Sequence, residues 1–194
     1  MVEAASPRPR AEVRRRDRAV TDEDWIRDFL KRAMFGTLAT VRDGQPFVNM
    51  NIFVYDETAN ALYLHTARAG RTRSNVEADG RVCFSVGEMG RLLPADTAMH
   101  FSVEYAGVVV FGRARVVSDD AEAERALQQL LDKYAPHLRP GRDYRPIQPE
   151  ELGVTAVYRI DIEEWSGKQK VAPPDHPGAF FYGQVPQGAE GSTA

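Results

Sequence analysis

Residues 100–117 form one very long run of strand-forming residues, and few folds can hold a strand of that length. Strands in globular proteins usually span about 3–10 residues. Gly107 and Gly112 lie inside the run, at points where a strand can bend or bulge. We therefore predict a bent strand that serves both halves of a small barrel, because closure also removes the exposed strand edges of an open sheet.

Shorter elements surround this strand. Apolar segments bounded by turn residues predict strands over 36–41, 47–55, 61–66, 81–86 and 154–162, and helical periodicity predicts helices over 22–33, 70–78 and 121–134. Asp43-Gly44 predicts a tight hairpin turn between the first two of these strands. Thr21 opens a capping-box pattern before the first helix, and Ser118 or Asp119 caps the last. Residues 87–98 and 136–149 are predicted to be irregular. Six antiparallel strands with few helices favour a barrel over a doubly wound sheet.

The chain length suits one globular core. We expect residues 1–13 to be disordered, residues 14–170 to form one domain, and the Pro- and Gly-rich residues 171–194 to be mobile. A net charge of -3 argues against a nucleic-acid partner. The lone cysteine, Cys83, favours a reducing cytoplasm, and neither a signal peptide nor a membrane span is expected.

A candidate anion site follows the third predicted strand. His65 and Thr66 end that strand, and Gly70 precedes Arg71, Thr72, Arg73 and Ser74 at the start of a helix. Helix N-termini carry unpaired N–H groups, and arginine adds charge-assisted hydrogen bonds to phosphate. The pattern predicts a phosphate cradle for a phosphorylated cofactor. The alternative is a solvated turn with exposed arginines.

Other candidates have equally open interpretations. Asn49 and Asn51 share one face of their strand, either turned inward toward a polar ligand or outward on an edge strand. His65 either contacts a ligand or is a half-buried histidine bonded to a backbone carbonyl. Trp165 and Lys168 follow the last predicted strand. Either they close over a flat ligand, or Trp165 is a core residue at the end of that strand. The scattered histidines predict no metal site, and Cys83 is expected to be inert.

The ordered set of motifs resembles the flavin-binding split β-barrel proteins of the pyridoxamine-phosphate-oxidase-like superfamily, and most of all its nitroimidazole resistance (Nim) proteins. The segments that carry the resemblance are Phe35-Gly36-Thr37-Leu38-Ala39-Thr40, Leu62-Tyr63-Leu64-His65-Thr66 with Gly70-Arg71-Thr72-Arg73, Gly90-Arg91-Leu92-Leu93-Pro94, Phe101-Ser102-Val103-Glu104-Tyr105 running to Val110-Phe111-Gly112, and Trp165-Ser166-Gly167-Lys168. They span residues 14–170 in the expected order.

The resemblance implies an all-β-dominated, six-stranded antiparallel split β-barrel that forms a two-fold homodimer with flavin mononucleotide (FMN) at the interface. It implies that Arg71, Thr72, Arg73 and Ser74 bind the phosphate, with Thr66 and Gly70 beside them. Asn49, Met50 and Asn51 would lie along the flavin ring, and His65 would be the catalytic residue at the ligand pocket. Trp165 and Lys168 would close the site, reaching toward the partner.

The implied activity is an FMN-dependent reductase that passes two electrons from a nicotinamide donor to a small acceptor, such as a 5-nitroimidazole or another nitroaromatic. Many members of the superfamily have a lysine after the arginine, where this chain has Thr72. The C-terminal substrate motif of true pyridoxamine phosphate oxidases is absent, which argues against vitamin B6 synthesis. The alternative is a non-catalytic barrel that binds flavin, haem or deazaflavin as a sensor or carrier.

Overall fold

The computed structural model describes residues 9–184, which form a mostly antiparallel sheet with four helices in that range. The strands are β1 Ala19–Val20, β2 Gly36–Arg42, β3 Gln45–Asn51, β4 Val54–Asp56, β5 Ala61–Ala67, β6 Arg81–Leu93, β7 Ser102–Val116 and β8 Thr155–Lys170. The helices are α1 Glu23–Arg32, α2 Arg71–Ala78, α3 Asp120–Tyr134 and α4 Pro149–Val154. The predicted disorder at 1–8 and mobility at 185–194 lie outside the described residues.

The sheet curls round so that its two end strands, β3 and β4, come near each other at their linked ends without pairing. Its strand order is β3-β2-β6-β7-β8-β5-β4, with β1 paired to β8. β3 and β4 stand at opposite ends of this order, yet only Ile52 and Phe53 separate them along the chain. Two residues span only about 7 Å, so the sheet must curl until its two ends meet. The predicted fold class is confirmed, although the described residues contain eight strands rather than six because β1 was missed and one predicted strand is two.

β7 confirms the long bent strand. Its 15 residues pair with β6 on one side and with β8 on the other, and the register to β8 shifts between Phe111 and Gly112. At the shift the strands approach closely, since a Cβ atom on Gly112 would lie 2.1 Å from the backbone oxygen of Asp161. The glycine is therefore required by the contact between β7 and β8.

Two apolar clusters form the core. The larger one fills the barrel and includes Leu38, Leu62, Leu64, Phe84, Val110 and Tyr158, with Ile26, Phe29 and Leu30 of α1 packed against it. The smaller cluster lies outside the barrel, where Tyr63 and Val157 meet Ala126 and Leu130 of α3. Alternate residues of β5 thus face different clusters, as strand periodicity requires.

Residues 47–55 do not form the single predicted strand. The chain leaves the ladder at Phe53, whose side chain is fully buried. The Phe53 N–H donates to the Tyr134 hydroxyl oxygen at 3.1 Å, and the Phe53 carbonyl oxygen lies 3.0 Å from both that hydroxyl and Lys133 Nζ. Side chains of α3 therefore take the backbone hydrogen bonds that a continuous strand would use.

Lys133 should make stability depend on pH. Its Nζ donates to the carbonyl oxygens of Ala33 and Phe53 and lies 4.0 Å from the centre of the Phe53 ring. Burial lowers the pKa of Lys133 from 10.5 to about 8. The unfolded chain then binds more protons between these values, so the unfolding free energy should rise across this range relative to the Lys133→Met variant. Urea unfolding of both proteins from pH 7 to pH 10.5 tests this; a constant difference would contradict it.

The strands β8 and β6 are both longer than predicted. β8 continues to Lys170 instead of ending near Ile162, and β6 continues to Leu93 instead of ending near Val86. Gly167 lies in the extension of β8 and makes room for β1, since a Cβ atom added to it would lie 3.0 Å from Val20 Cβ. Gly90 likewise permits close approach to Glu104 at the irregular end of the β6–β7 ladder.

Smaller differences concern the helix boundaries. Asp22, not Thr21, caps α1, accepting the N–H groups of Asp24 and Trp25. α4 begins within the segment predicted to be irregular, with Pro149 at its first turn. Asp119 caps α3, as one of the two predicted alternatives.

The segment after β8 has contacts in its described part. The guanidinium of Arg91 binds Glu104 and the carbonyl oxygens of residues 172–174, and Ala172 N–H donates to Glu104. These bonds hold the pKa of Glu104 down at about 2. The predicted mobility of residues 171–194 stays a prediction.

Candidate functional site

The predicted phosphate cradle corresponds to the N-terminus of α2, which has no side-chain cap. α2 begins four residues after β5, and its N-cap residue Gly70 provides no side-chain hydrogen bond to the first turn. Gly70 has φ 150° and ψ 176°, a conformation that is essentially restricted to glycine. The N–H groups of the first turn are consequently free of a side-chain cap, and the helix dipole adds partial positive charge there.

A polar cleft of about 390 Å³ lies beside this helix start, and it is lined by Arg42, Asp43, Gln45, Arg71, Ser74 and Asn75. Its second wall is the β2–β3 hairpin, whose tip residues Asp43 and Gly44 have φ of 52° and 74°. Positive φ at both positions is typical of a type I′ turn, so the Asp-Gly hairpin signal is confirmed. The Arg71 guanidinium lies 5.2 Å from the centre of the Phe47 ring on this hairpin.

Buried hydrogen bonds fix the helix against the hairpin. The buried polar residues of the described chain are Thr40, Thr72 and Asn75, of which Asn75 also lines the cleft. Asn75 Nδ2 donates to Thr40 Oγ1 at 2.9 Å, and Asn49 Nδ2 donates to Thr72 Oγ1 at 3.1 Å. Fully satisfied buried polar groups specify one arrangement of the elements they join. The cleft is therefore preorganised.

The predicted phosphate residues do not all face this cleft. Arg71 and Ser74 line it, whereas Thr72 is buried beneath it as a hydrogen-bond acceptor. Arg73 turns away: its Nε donates to Glu77 at 2.7 Å and its Nη1 to the Arg68 carbonyl oxygen at 3.1 Å. Arg73 instead lines a separate cavity with Arg68, near α3 and α4. It therefore does not replace the missing lysine charge in this conformation.

The asparagines of β3 lie on an end strand but on its half-buried face. Asn49 and Asn51 share this face with Phe47, whereas Met50 is 65% exposed on the other face. Asn49 contacts α2 through Thr72, and Asn51 Nδ2 donates to the Asn49 carbonyl oxygen at 3.2 Å. The two amides thus continue the polar wall that begins at the cleft.

His65 and Thr66 point to opposite faces of β5. Thr66 Oγ1 lies 3.1 Å from the Tyr158 hydroxyl, on the side of the barrel interior. His65 faces α3, and its Nδ1 is buried without a hydrogen-bond partner. Burial lowers the pKa of His65, which favours the neutral ring. The alternative prediction, in which His65 bonds to a backbone carbonyl, is therefore wrong. Within one chain, His65 and Thr66 lie on opposite faces of β5.

Trp165 and Lys168 lie inside β8, not after it. Trp165 pairs with Val110, packs against the barrel core, and has the Arg27 guanidinium 5.3 Å from its ring centre. Lys168 pairs with Gly107 and holds its Nζ 5.6 Å from the Tyr105 ring centre. Neither residue lines the cleft of this chain. If these two residues close over a bound ligand, as predicted, the ligand must lie in the cleft of a second subunit.

The cleft suits a phosphate group. It combines an uncapped helix start, the Arg71 guanidinium and the Ser74 hydroxyl, which are the donor types that phosphate oxygens accept. Among residues 9–184, the ion pairs of Arg73 and Arg42 involve Glu77 and Asp43, but none involves Arg71. The Arg71 charge is thus available to a ligand. Sequence reasoning missed Arg42 and Gln45, although their position beside the hairpin turn could have indicated them.

The surroundings of Cys83 disfavour the reactive thiolate form. It is half-buried in β6, and burial raises the pKa of its thiol. The thiol form that results is a poor nucleophile.

Comparison with solved structures gives strong matches. The flavocytochrome Anf3 from Azotobacter vinelandii is 26% identical, with 87% of this chain and 77% of that chain covered and a TM-score of 0.74. An FAD and haem binding protein from Mycobacterium smegmatis is 25% identical, with 81% and 76% covered and a TM-score of 0.71.

A third structure bears on the fold alone. A protein described as a candidate 5-nitroimidazole antibiotic resistance protein from Bacteroides thetaiotaomicron is 18% identical, with 78% of this chain and 86% of that chain covered and a TM-score of 0.65. No curated protein gives a significant match. In the described part of the chain, no helix has the length and apolar character needed to cross a membrane.

The chain belongs to the pyridoxamine 5'-phosphate oxidase family, whose profile matches residues 22–169. The predicted resemblance to this superfamily is confirmed.

Proposed function

We propose that this member of the pyridoxamine 5'-phosphate oxidase family is a homodimeric, flavin-dependent reductase. It takes two electrons as hydride from NADH or NADPH and passes them to a small acceptor, with 5-nitroimidazoles and other nitroaromatics as the candidate class. The observation that carries the proposal is the uncapped start of α2 beside the unpaired Arg71, in a cleft held by buried hydrogen bonds among the described residues. FMN is the proposed cofactor.

The two most identical structures above support a flavin rather than another phosphorylated ligand. One is described as a flavocytochrome and the other as an FAD and haem binding protein. Each match covers more than three quarters of this chain. A flavin phosphate carries a charge of about −1.5 to −2 at neutral pH, which the cleft is equipped to neutralise.

The roles of the chain's own residues follow from their positions. Arg71 and the first-turn N–H groups of α2 hold the phosphate, and Gly70 lets the backbone adopt the conformation that opens them. Asn49 and Asn51 offer amide groups along the adjoining face of β3. When bound, the flavin supplies the hydride chemistry, and the protein supplies position and electrostatics. His65 is left as a catalytic candidate only through the family resemblance.

Dimerisation completes the proposed site. β3 is an end strand of the sheet, and Val48 and Met50 on its outer face are 61% and 65% exposed. An unpaired edge with exposed apolar side chains is a surface that another chain can cover. We place Trp165 and Lys168 of the partner over the flavin, since neither reaches the cleft of its own chain.

An absorption experiment tests the proposal. Purified protein is mixed with FMN or FAD, then with NADH or NADPH, and finally with a nitroimidazole in the absence of oxygen. Flavin bands that bleach with the donor and return with the acceptor are expected. A protein that binds neither flavin, or binds one that no donor reduces above the rate of free flavin, would contradict the reductase.

A second candidate function is a non-catalytic barrel that binds flavin, deazaflavin or haem as a sensor or carrier. The specific observation in its favour is the unpartnered, neutral His65 beside an apolar cavity of the described chain, together with the haem and cytochrome descriptions of the two structures above. The same experiment separates the candidates, because a carrier shows a ligand spectrum without turnover of nicotinamide.

A further inference from the structure

The β2–β3 hairpin brings a second arginine to the α2 cleft. Arg42 is the last residue of β2 and pairs across the turn with Gln45, the first residue of β3. Both residues line the cleft, as does Arg71 at the start of α2. Alternate strand residues share a face, so Arg42 lies on the same face of β2 as Thr40, which bonds Asn75 of α2. The hairpin therefore presents Arg42 on the wall opposite Arg71.

The backbone around Arg42 is anchored to α2, while its side chain is not. Asn75 Nδ2 donates to Thr40 Oγ1 at 2.9 Å, two residues before Arg42. Two strand residues span only about 7 Å, so this buried bond fixes the base of the Arg42 side chain. The side chain itself is 50% exposed. Its guanidinium can therefore turn toward a ligand in the cleft without moving the hairpin.

The Arg42 guanidinium has only a weak partner before a ligand binds. Its ion pair among residues 9–184 joins Nε to Asp43 Oδ2 at 3.6 Å, which is too long for a hydrogen bond. The Asp43 side chain is 90% exposed. A pair that is this long and this exposed contributes little to stability. Exchanging Asp43 for a better acceptor costs the protein little.

We propose that Arg42 is the second guanidinium that binds the flavin phosphate, and that it exchanges Asp43 for the phosphate when FMN binds. Arg42 thereby adds a residue to the flavin site, so its role rests on the proposed function. A flavin phosphate carries about −1.5 to −2 at neutral pH, more than the single charge of Arg71 balances. Arg73 binds Glu77 outside the cleft, and Arg42 supplies the charge that Arg73 does not.

Arg42 makes the cleft selective for phosphorylated flavins. A guanidinium forms strong, charge-assisted bonds to phosphate oxygens, and riboflavin has no phosphate to offer. Asp43 acts in the opposite direction, because its carboxylate also lines the cleft and competes with phosphate for Arg42. Loss of Arg42 and loss of the Asp43 charge should therefore change FMN affinity in opposite directions.

Flavin titration of full-length variants tests Arg42. Wild type, Arg42→Ala and Arg142→Ala are titrated with FMN and with riboflavin while flavin fluorescence is followed. Arg142 is the matched control because it also pairs with the aspartate that follows it, Asp143, at 2.7 Å, and lies outside the cleft. We expect Arg42→Ala to raise the Kd for FMN at least about tenfold and to leave the Kd for riboflavin unchanged. Arg142→Ala should change neither.

Asp43→Asn tests the exchange in the direction of tighter binding. Asparagine suits the φ of 52° at this turn position, so the hairpin keeps its shape while the competing charge is lost. The Kd for FMN should fall about two- to fivefold, and the Kd for riboflavin should not change. An Asp43→Asn variant that binds FMN no more tightly than wild type would overturn the exchange.

Wild-type FMN affinity in Arg42→Ala would overturn the role of Arg42, as would an equal loss in Arg142→Ala. If Arg42→Ala does not fold, Arg42→Gln removes the charge but keeps a long polar side chain, and the same two outcomes apply to it. Failure of the proposed function gives a different result, because wild type itself would then bind FMN and riboflavin equally. The riboflavin titrations thus separate an error about Arg42 from an error about the phosphate site.

Discussion

Replacing Arg71 with alanine should weaken flavin binding by about tenfold or more, because each charged hydrogen bond to phosphate contributes roughly 1.5–3 kcal/mol. Arg71 lines the cleft beside the open start of α2. Arg71 is exposed and forms no ion pair among the described residues, so its removal should leave the fold intact although its guanidinium lies 5.2 Å from the centre of the Phe47 ring. Fluorescence titration with FMN and FAD measures the change, and circular dichroism checks folding.

Arg73 provides the matched comparison. It lies two residues along the same helix, but its guanidinium binds Glu77 and the Arg68 carbonyl oxygen outside the cleft. Arg73→Ala should therefore change flavin affinity by less than about threefold, because it removes only a distant positive charge whose attraction for the phosphate is screened by salt. Equal losses in both variants would show that the phosphate is held by a different arrangement of α2, and an unchanged Arg71→Ala would remove the phosphate assignment.

Gly112→Ala should destabilise the fold by about 3 kcal/mol or prevent folding, because the added Cβ cannot be accommodated without moving a strand. The atom would lie 2.1 Å from the Asp161 oxygen and 3.3 Å from Ile160 Cγ2. Gly112 pairs with Ile162 at the register shift between β7 and β8, in the middle of the sheet. Urea unfolding of the purified variant measures the loss.

Gly153→Ala is the control for this substitution. Gly153 lies in α4 and lacks a positive φ, and a Cβ atom added there would have no neighbouring atom within 4 Å. Alanine should be neutral at this position or stabilise by up to about 1 kcal/mol, since it is the better helix former. If Gly112→Ala unfolds at the same urea concentration as Gly153→Ala, the close approach of β7 and β8 is not what requires glycine.

Much of the fold could be predicted because local signals and tertiary structure agree. The apolar alternation of β5 and β7, the Asp-Gly hairpin and the helix α1 all formed where the sequence indicated. The errors in β6 and β8 are of one kind: both strands were predicted to end too early, whereas they continue through Gly90 and Gly167, where neighbouring chain segments come close. Such contacts are between residues far apart in sequence, so no local pattern contains them.

The site was predicted less completely, for a similar reason. From their spacing, Arg71 and Arg73 were predicted to bind the same phosphate. In the helix their side chains point in different directions, so Arg71 lines the cleft and Arg73 binds Glu77. The buried support from Thr40 and Asn75 joins a strand to a helix 35 residues later. Period two along β5 does place His65 and Thr66 on opposite faces, but the cavity under α3 depends on packing that the sequence does not reveal.

If the α2 cleft binds the phosphate of a flavin, FMN should bind far more tightly than riboflavin, which lacks the phosphate, and comparing the two flavins is the most direct measurement. Both are titrated into the full chain under the same salt conditions, with flavin fluorescence as the readout. Two charged hydrogen bonds of about 1.5 kcal/mol or more each predict FMN binding at least about a hundredfold tighter than riboflavin. Equal affinities for the two flavins would contradict a phosphate site in the cleft.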